Sequence, residues 1–206
     1  MLEYFLLPDL KIDKELFSNK VKEQCESWGH FGTGRFKFYS GMPDDETLDY
    51  LDNTFKNAGD IVTKVLFNRV KANNIIGPHT DYGRGCTINI PICGDFANSS
   101  LDAYEWTKPI SVMSPDQDLS VEEESRFFPH SEIEEQINYT SPICFDTRVP
   151  HGVTNQTKED RFILGITFKD DLRVGHIKEL YEKGELLVWL STENIPNLIL
   201  MKMDYG

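Results

Sequence analysis

The stretch Gly77-Pro78-His79-Thr80-Asp81-Tyr82-Gly83-Arg84-Gly85-Cys86-Thr87-Ile88-Asn89-Ile90-Pro91-Ile92 holds the most informative pattern in this 206-residue chain. Its first half places His79 and Asp81 two residues apart, and its second half alternates apolar with polar or small residues. Residues two apart in a strand point to the same face, so the imidazole and the carboxylate can converge on one metal ion. Alone the pair is a weak signal, since the glycines and the proline around it also suit a surface turn.

A second histidine, His151, lies about 70 residues later in the chain and is the candidate third ligand. It follows a strand-like run at residues 142–149 and lies between Pro150 and Gly152. At functional sites, the direction of the backbone often changes beside a proline or a glycine. By itself, however, His151 is better explained as a half-buried histidine bonded to a backbone carbonyl.

Together, His79, Asp81 and His151 match the ligand set of two histidines and one carboxylate that is typical of non-haem Fe(II) oxygenases. Such a set occupies one face of the metal ion and leaves coordination positions open for reactants. We therefore predict that these three residues bind a metal and form the catalytic centre.

A single arginine, Arg161, follows His151 by ten residues and opens the apolar run 162–168. An arginine directed into a dry barrel needs a carboxylate partner, because an unpaired buried charge is costly. The guanidinium group fits a carboxylate through two parallel hydrogen bonds, so Arg161 is a candidate anchor for a cosubstrate carboxylate. The alternative is an exposed strand end, where Arg161 is solvated or paired with Glu159 or Asp160.

Hydrophobic periodicity divides the chain into a helical start and a β-rich remainder. Apolar residues recur at helical spacing in residues 13–28 and in a second segment that begins at Asp44 or Asp45 and ends at residue 58. Each segment starts with an aspartate suited to the N-cap and is followed by a glycine. Strand-like runs occupy residues 61–70, 86–92, 142–149, 162–168 and 186–190, and a further short helix is expected at residues 175–184.

Residues 95–138 are acidic and punctuated by proline, and they interrupt this pattern. We predict that they form an insertion between strands with only local order. No repeat or linker marks a second domain, so residues 1–206 are expected to form a single domain. Within it, residues 1–60 would form a helical layer and residues 61–206 a β-rich barrel.

The charge balance and the cysteines limit the classes of function. The chain has 34 acidic and 21 basic residues, a net charge of −13, which disfavours binding to nucleic acid or to anionic membranes. The N-terminal apolar run is too short for a signal peptide, and no apolar stretch is long enough to span a membrane. No CxxC motif is formed by the four cysteines, which are Cys25, Cys86, Cys93 and Cys144. We expect reduced thiols in a cytoplasmic protein.

The order of these residues resembles the Fe(II)- and 2-oxoglutarate-dependent dioxygenase superfamily. Residues 77–83 and the strand 87–91 are similar to the first motif of that family, and residues 149–155 with 161–164 are similar to its second. The resemblance covers residues 62–168. It implies a mainly β fold with flanking helices, a double-stranded β-helix of the jelly-roll or cupin-like barrel type. It also implies Fe(II) at the predicted triad, with 2-oxoglutarate and O₂ at the open positions.

The resemblance further implies that Arg161 binds the distal carboxylate of 2-oxoglutarate. Oxidative decarboxylation of this cosubstrate would release succinate and CO₂ as the substrate is hydroxylated. Many members of the family place Ser or Thr two residues after the arginine, where this chain has Ile163. We therefore expect a hydroxyl or amide from Thr87, Asn89 or Thr154 to contact 2-oxoglutarate instead.

The substrate is less well indicated by the sequence. The segments around His79 and His151 are loosely similar to the prolyl- and aspartyl/asparaginyl-hydroxylase branches, which favours an amino-acid or peptidyl substrate. A small metabolite is nearly as good an expectation. Arg84, between two glycines, is expected to be a solvated turn residue, with contact to an anionic substrate as the alternative.

Two other functions are compatible with the same residues. A cupin-like metal enzyme that does not use 2-oxoglutarate would bind metal but would not need Arg161. A jelly-roll binding protein with a vestigial site would show no dependence on Fe(II). Fold alone does not decide between these functions.

Overall fold

Two antiparallel β-sheets and three α-helices make up the part of the chain that the computed structural model describes, which is residues 1–10, 12–31, 38–54, 61–81, 84–108, 110–111, 126–169 and 172–186. In chain order the strands are β1 (Tyr4–Leu6), β2 (Gly29–Phe31), β3 (Phe38–Gly41), β4 (Val62–Val70), β5 (Asn74–Thr80), β6 (Cys86–Cys93), β7 (Ser99–Tyr104), β8 (Ile110–Ser111), β9 (Arg126–Phe127), β10 (Ile133–Ile137), β11 (Ile143–Asp146), β12 (His151–Asn155) and β13 (Arg161–Phe168). The helices are α1 (Lys14–Gln24), α2 (Asp45–Thr54) and α3 (Val174–Glu182).

Eight of these strands alternate between the sheets in a regular way. The larger sheet has the order β1-β11-β6-β13-β4-β3-β2, and the smaller sheet has the order β10-β7-β12-β5-β9-β8. The chain passes from β4 in the larger sheet to β5 in the smaller, and on through β6 and β7. It then returns through β10, β11, β12 and β13 in the same alternating manner. This winding is the double-stranded β-helix, so the predicted fold is confirmed.

The two faces of the larger sheet have different partners. One face carries Ile88, Leu164 and Ile166, which pack with Phe17 and Val21 of α1. Burying each such side chain contributes about 1.5–3 kcal/mol, so the helix is held mainly by this contact. The other face points into the barrel, where a second core joins residues of both sheets: Leu101, Ala103, Ile143, Phe145 and Ile163 among them. Polar residues on this inner face are therefore enclosed between the sheets.

The helices begin where the sequence predicts, and the first ends earlier. The carboxylate of Asp13 accepts a hydrogen bond from the Leu16 backbone N–H at 3.0 Å and caps α1. The helix gives way to a 3₁₀ turn, and Gly29 begins β2 instead of capping the helix. Residues 55–58 of the second predicted helix and residues 187–190 of the last predicted strand lie outside the described residues. No helix in the described part of the chain is long and apolar enough to cross a membrane.

Two segments differ from the expected pattern. The first 60 residues are not purely helical, because β1, β2 and β3 extend the larger sheet at its two edges. The segment 95–138, expected to be an insertion, contributes β7 and β10 to the smaller sheet. The strand expected at residues 142–149 ends at Asp146, whose carboxylate accepts a hydrogen bond from the Arg148 backbone N–H at 2.9 Å and turns the chain.

Candidate metal centre

The two histidines of the predicted triad lie side by side on neighbouring strands of the smaller sheet. His79 is the penultimate residue of β5 and is paired with His151, the first residue of β12. Residues opposite each other on neighbouring strands project to the same face, and the two ring centroids are 4.5 Å apart. The register of the sheet thus brings together two imidazoles that are distant in sequence.

Each imidazole is oriented by a backbone carbonyl. Nδ1 of His79 lies 2.9 Å from the Gly77 carbonyl oxygen, and Nδ1 of His151 lies 2.9 Å from the Val149 carbonyl oxygen. A carbonyl oxygen only accepts, so each Nδ1 carries the hydrogen and donates it. The alternative explanation of His151, a hydrogen bond to a backbone carbonyl, is therefore observed, but this bond uses Nδ1 and leaves Nε2 available to bind a metal. Metal-binding histidines generally have this arrangement.

Asp81 follows β5 directly and completes the cluster. Its backbone N–H donates to the Thr147 carbonyl at 2.9 Å, which fixes the turn after the strand. One carboxylate oxygen lies 3.8 Å from His79 Nε2, and the other lies 4.0 Å from His151 Nε2. The candidate ligand atoms of the three residues all lie within 4.8 Å of one another. Atoms that share a metal ion at about 2.1 Å lie about 3–4 Å apart, so small side-chain movements suffice for binding.

The charges of the cluster favour the form of each residue that binds metal. Burial alone would raise the pKa of Asp81, but the cations around it, with Arg84 first, outweigh burial and lower that pKa. Burial and the neighbouring charge of His79 lower the pKa of His151 to about 4. The carboxylate is therefore ionised and His151 is neutral at physiological pH, as metal ligation requires.

The depressed pKa of His151 predicts a pH dependence of the metal-free protein. Above pH 6.5 the residue is neutral in both folded and unfolded chains and contributes nothing. As the pH falls towards 4, His151 becomes protonated in the unfolded chain but stays neutral in the folded chain. The free energy of unfolding therefore decreases by up to about 3 kcal/mol. Urea unfolding at several pH values measures this loss. A His151→Gln variant should show a smaller loss over the same range, and equal slopes for both proteins would contradict the prediction.

Arg161 begins β13 and lies inside the barrel. It is only 2% exposed, which excludes the alternative that Arg161 is solvated at an exposed strand end. One terminal nitrogen donates to the Ser100 carbonyl at 3.1 Å, and the other donates to the Tyr139 hydroxyl. The rings of Phe96 and Tyr139 lie 4.6 Å and 4.9 Å from its central carbon. Its Nε has no partner, and no carboxylate lies within 4.0 Å of the guanidinium, among the residues that the structure describes. Such a cation is costly unless a ligand supplies the missing anion.

A polar part of the barrel interior separates Arg161 from the histidines. His151 is paired with Ala103 on β7, and Arg161 contacts Ser100 three residues along the same strand, about 10 Å away. Gly165 faces this interior, where a Cβ would lie 3.2 Å from Asn68 Nδ2 and 3.5 Å from Asn89 Oδ1. The two amides therefore pack directly against this glycine, which has no side chain to keep them away.

The three residues predicted to assist Arg161 have different positions. Asn89 lies on the inner face of β6, where its amide packs against Gly165. Thr87 lies on the same face, and its hydroxyl donates to the Ile166 carbonyl at 2.9 Å. The expectation for Thr154 is not met. Thr154 is paired with Ser100 on the outer face of the smaller sheet, where its hydroxyl donates to Asp102.

Two residues near the site were not predicted to take part in it. Arg84, expected to be a solvated turn residue, donates from Nη1 to Asp81 Oδ2 at 3.1 Å and so orients a candidate ligand. Its spacing of three residues from Asp81 was the available signal. Tyr139 binds Arg161 but belongs to neither motif, and nothing in the sequence connects the two residues.

Comparison with known proteins identifies the fold. No protein-family model matches the chain, and neither does the sequence of a curated protein. The structure is similar to that of the epimerase SnoN in complex with Fe³⁺, alpha ketoglutarate and nogalamycin RO, with 13% sequence identity, a TM-score of 0.55, and coverage of 81% of this chain and 78% of that one. It is also similar to a prolyl hydroxylase from Trichoplax adhaerens in complex with a hypoxia inducible factor peptide fragment, with 12% identity, a TM-score of 0.50, and coverage of 84% and 86%. At such identities the similarity is one of fold.

Proposed function

We propose that this protein is an Fe(II)- and 2-oxoglutarate-dependent oxygenase that hydroxylates an amino-acid, peptidyl or small-molecule substrate and releases succinate and CO₂. One observation carries the proposal: a cluster of two histidines and a carboxylate shares the barrel interior with a buried arginine that has no counterion among the described residues. A metal site alone would support many reactions. The arginine adds a second, fixed binding point for a carboxylate, as a dicarboxylic cosubstrate requires.

Fe(II) fits the donor set of His79, Asp81 and His151. Two imidazoles and one carboxylate on one side of an ion leave open positions, the arrangement of non-haem Fe(II) oxygenases. When bound, iron and 2-oxoglutarate supply the redox chemistry, in which O₂ is reduced, 2-oxoglutarate loses CO₂ and the substrate is hydroxylated. The residues of this chain hold the ligands in place through Gly77, Val149 and Arg84.

We propose that 2-oxoglutarate binds in the interior between the triad and Arg161. The guanidinium would bind the distal carboxylate, and the rings of Phe96 and Tyr139 exclude water from that pair. The amide of Asn89 would be available to form a hydrogen bond with the cosubstrate between these two points. The fold similarity to SnoN, which was crystallised with Fe³⁺ and alpha ketoglutarate, supports this assignment.

The experiment that tests the proposal is an anaerobic titration of the metal-free protein with Fe(II) and then with 2-oxoglutarate. A visible metal-to-ligand charge-transfer band of the chelated keto acid is expected. Iron binding without the band would favour the cupin-like enzyme that needs no 2-oxoglutarate. No iron binding at all would favour a binding protein with a vestigial site.

Substitution of Gly165 tests the position of the cosubstrate. Gly165→Val should weaken 2-oxoglutarate binding by at least about tenfold, because the added side chain crowds the amides of Asn68 and Asn89 and displaces them into the proposed cosubstrate site. Iron affinity should not change. The charge-transfer titration measures both, and Gly175→Val is the control, since at Gly175 a Cβ meets only a Glu3 oxygen at 4.0 Å. Unchanged 2-oxoglutarate affinity in Gly165→Val would place the cosubstrate elsewhere.

The partners and location follow as part of the same proposal. The two similar structures hold a small molecule, nogalamycin RO, and a peptide fragment, so both classes of substrate are compatible with this fold. O₂ is the second substrate. We propose a single-domain protein, and its four free thiols support a location in the reducing cytoplasm.

A further inference from the structure

Lys64 lies in a row of side chains that crosses the larger sheet. Lys64 on β4, Thr167 on β13 and Thr87 on β6 are paired in register, and Phe145 on β11 continues the row. The ring of Phe145 packs edge-on against His151, with centroids 5.2 Å apart. The row is therefore at the level of the candidate metal centre.

The Lys64 side chain projects into the barrel. Its neighbour Val65 packs in the core beneath the helices, together with Ile88 and Ile166, which adjoin the other members of the row. Successive residues of a strand point to opposite faces, so the row faces the barrel interior. Lys64 is half-buried, and no carboxylate in the described ranges lies within 4.0 Å of its ammonium group.

Lys64 shares this space with Asp81 and Arg84. Burial lowers the pKa of the Lys64 ammonium, the guanidinium of Arg84 lowers it further, and the carboxylate of Asp81 opposes both. Charges influence each other in this way only at short range. Lys64, Asp81 and Arg84 are therefore close enough to influence one another's charge.

Among the described residues, the formal charges at the proposed site leave an excess of two positive charges, those of Lys64 and Arg84. The carboxylate of Asp81 and the two carboxylates of 2-oxoglutarate together balance Fe(II) and Arg161. Lys64 and Arg84 then add two positive charges beside the metal, in a chain whose net charge is −13. An excess of one sign of charge attracts a ligand of the opposite sign.

We propose that Lys64 and Arg84 bind an anionic oxygen group of the substrate, a carboxylate or a phosphate, next to the metal centre. The inference rests on the proposed function and adds the class of substrate to it. In the simpler alternative, Arg84 only orients Asp81 and Lys64 is solvated.

This subsite is separate from the proposed cosubstrate anchor. Arg161 is paired with Val70 at one end of β4, and Lys64 lies six residues away towards the other end of the strand. A 2-oxoglutarate molecule held between the metal and Arg161 therefore leaves Lys64 available for the substrate.

The test uses the whole protein loaded with Zn(II), which has no redox chemistry, and 2-oxoglutarate. Its lysines carry ¹³C-methyl groups, which retain the positive charge. The NMR signal of Lys64 is assigned from its absence in Lys64→Met, and acetate or inorganic phosphate is added at constant ionic strength. Lys178, 54% exposed on α3, is the control in the same spectrum.

We expect the Lys64 signal to shift and saturate at low millimolar concentration of at least one anion, while the Lys178 signal stays in place. Arg84→Gln should weaken the response by about fivefold, the effect of losing one partly exposed charge pair. A stronger response to acetate indicates a carboxylate substrate, and a stronger response to phosphate indicates a phosphorylated one.

Three outcomes would overturn the inference. The Lys64 signal does not respond to either anion, it responds equally in Arg84→Gln, or the anion displaces 2-oxoglutarate and so assigns Lys64 to the cosubstrate. The Fe(II) titration of the metal-free protein separates the two proposals. If the charge-transfer band forms and Lys64 does not respond, only the subsite is wrong. If the band is absent, the proposed function is wrong.

Discussion

His151→Ala is expected to abolish stoichiometric binding of Fe(II) and to leave the fold intact. Only His79 and Asp81 would remain as ligands, and the affinity should fall by at least about a hundredfold, since losing even an outer partner of a metal ligand costs about tenfold to a hundredfold. The fold should persist because β12 is paired on both sides, with β5 and with β7. Anaerobic equilibrium dialysis with iron analysis measures the affinity, and circular dichroism reports the fold.

His130→Ala is the matched control for this prediction. His130 is exposed and lies outside the triad, so its removal should leave iron binding at the wild-type level. If His151→Ala still bound one iron per chain with wild-type affinity, the assignment of the triad would be wrong. If both variants lost iron binding, the loss would reflect a general disturbance of the fold and not the removal of a metal ligand.

The strands that the sequence predicts best are buried on both faces. All eight residues of β13 are buried, and so are seven of the eight residues of β6. Strands enclosed in this way consist largely of apolar residues, and the helices on one side and the barrel core on the other explain why. Their boundaries therefore agree with the predicted runs to within one residue.

The strands β7 and β10 could not be recognised, because their polar residues resemble those of a surface loop. Asp102 of β7 is fully buried, and its carboxylate accepts hydrogen bonds from Ser100, Gln136 and Thr154. Buried acids are rare unless they have such partners, and the partners come from three different strands. A sequence does not show which strands are neighbours, so the segment looked like an acidic insertion.

In the site, too, the residues that could be predicted depend on local sequence, and those that could not be predicted depend on contacts between distant segments. The spacing of His79 and Asp81 depends only on the chain near them, and the structure does bring both residues to His151. Thr154 lies three residues after His151, and an odd spacing in a strand reverses the face, so its exclusion follows from the same rule. The contact of Arg161 with Tyr139 depends on the packing of two sheets and had no sequence signal.

Arg161→Leu is expected to preserve iron binding and to weaken 2-oxoglutarate binding by about a hundredfold or more. A buried guanidinium paired with a carboxylate contributes strongly to affinity, and removing one partner of such a pair costs about 2–5 kcal/mol. The metal ligands lie about 10 Å away and do not contact Arg161, so the iron site should not change. Titration of the charge-transfer band with 2-oxoglutarate gives the affinity. Arg161→Lys keeps the positive charge but cannot form two parallel hydrogen bonds to a carboxylate, so its affinity for 2-oxoglutarate should lie between that of Arg161→Leu and that of the wild type.

The stability of the metal-free Arg161→Leu variant distinguishes a binding residue from a structural one. Without its ligand, Arg161 is a buried cation with an unpaired Nε, and replacing such a charge by an apolar side chain is often neutral or stabilising. Arg69 is the contrasting control, because it is paired with Asp160 at 2.6 Å and with Glu26 at 2.9 Å. Arg69→Leu should therefore lower the free energy of unfolding and leave 2-oxoglutarate affinity unchanged. If Arg161→Leu were instead the destabilised variant with normal cosubstrate affinity, Arg161 would be structural and the anchor would lie elsewhere.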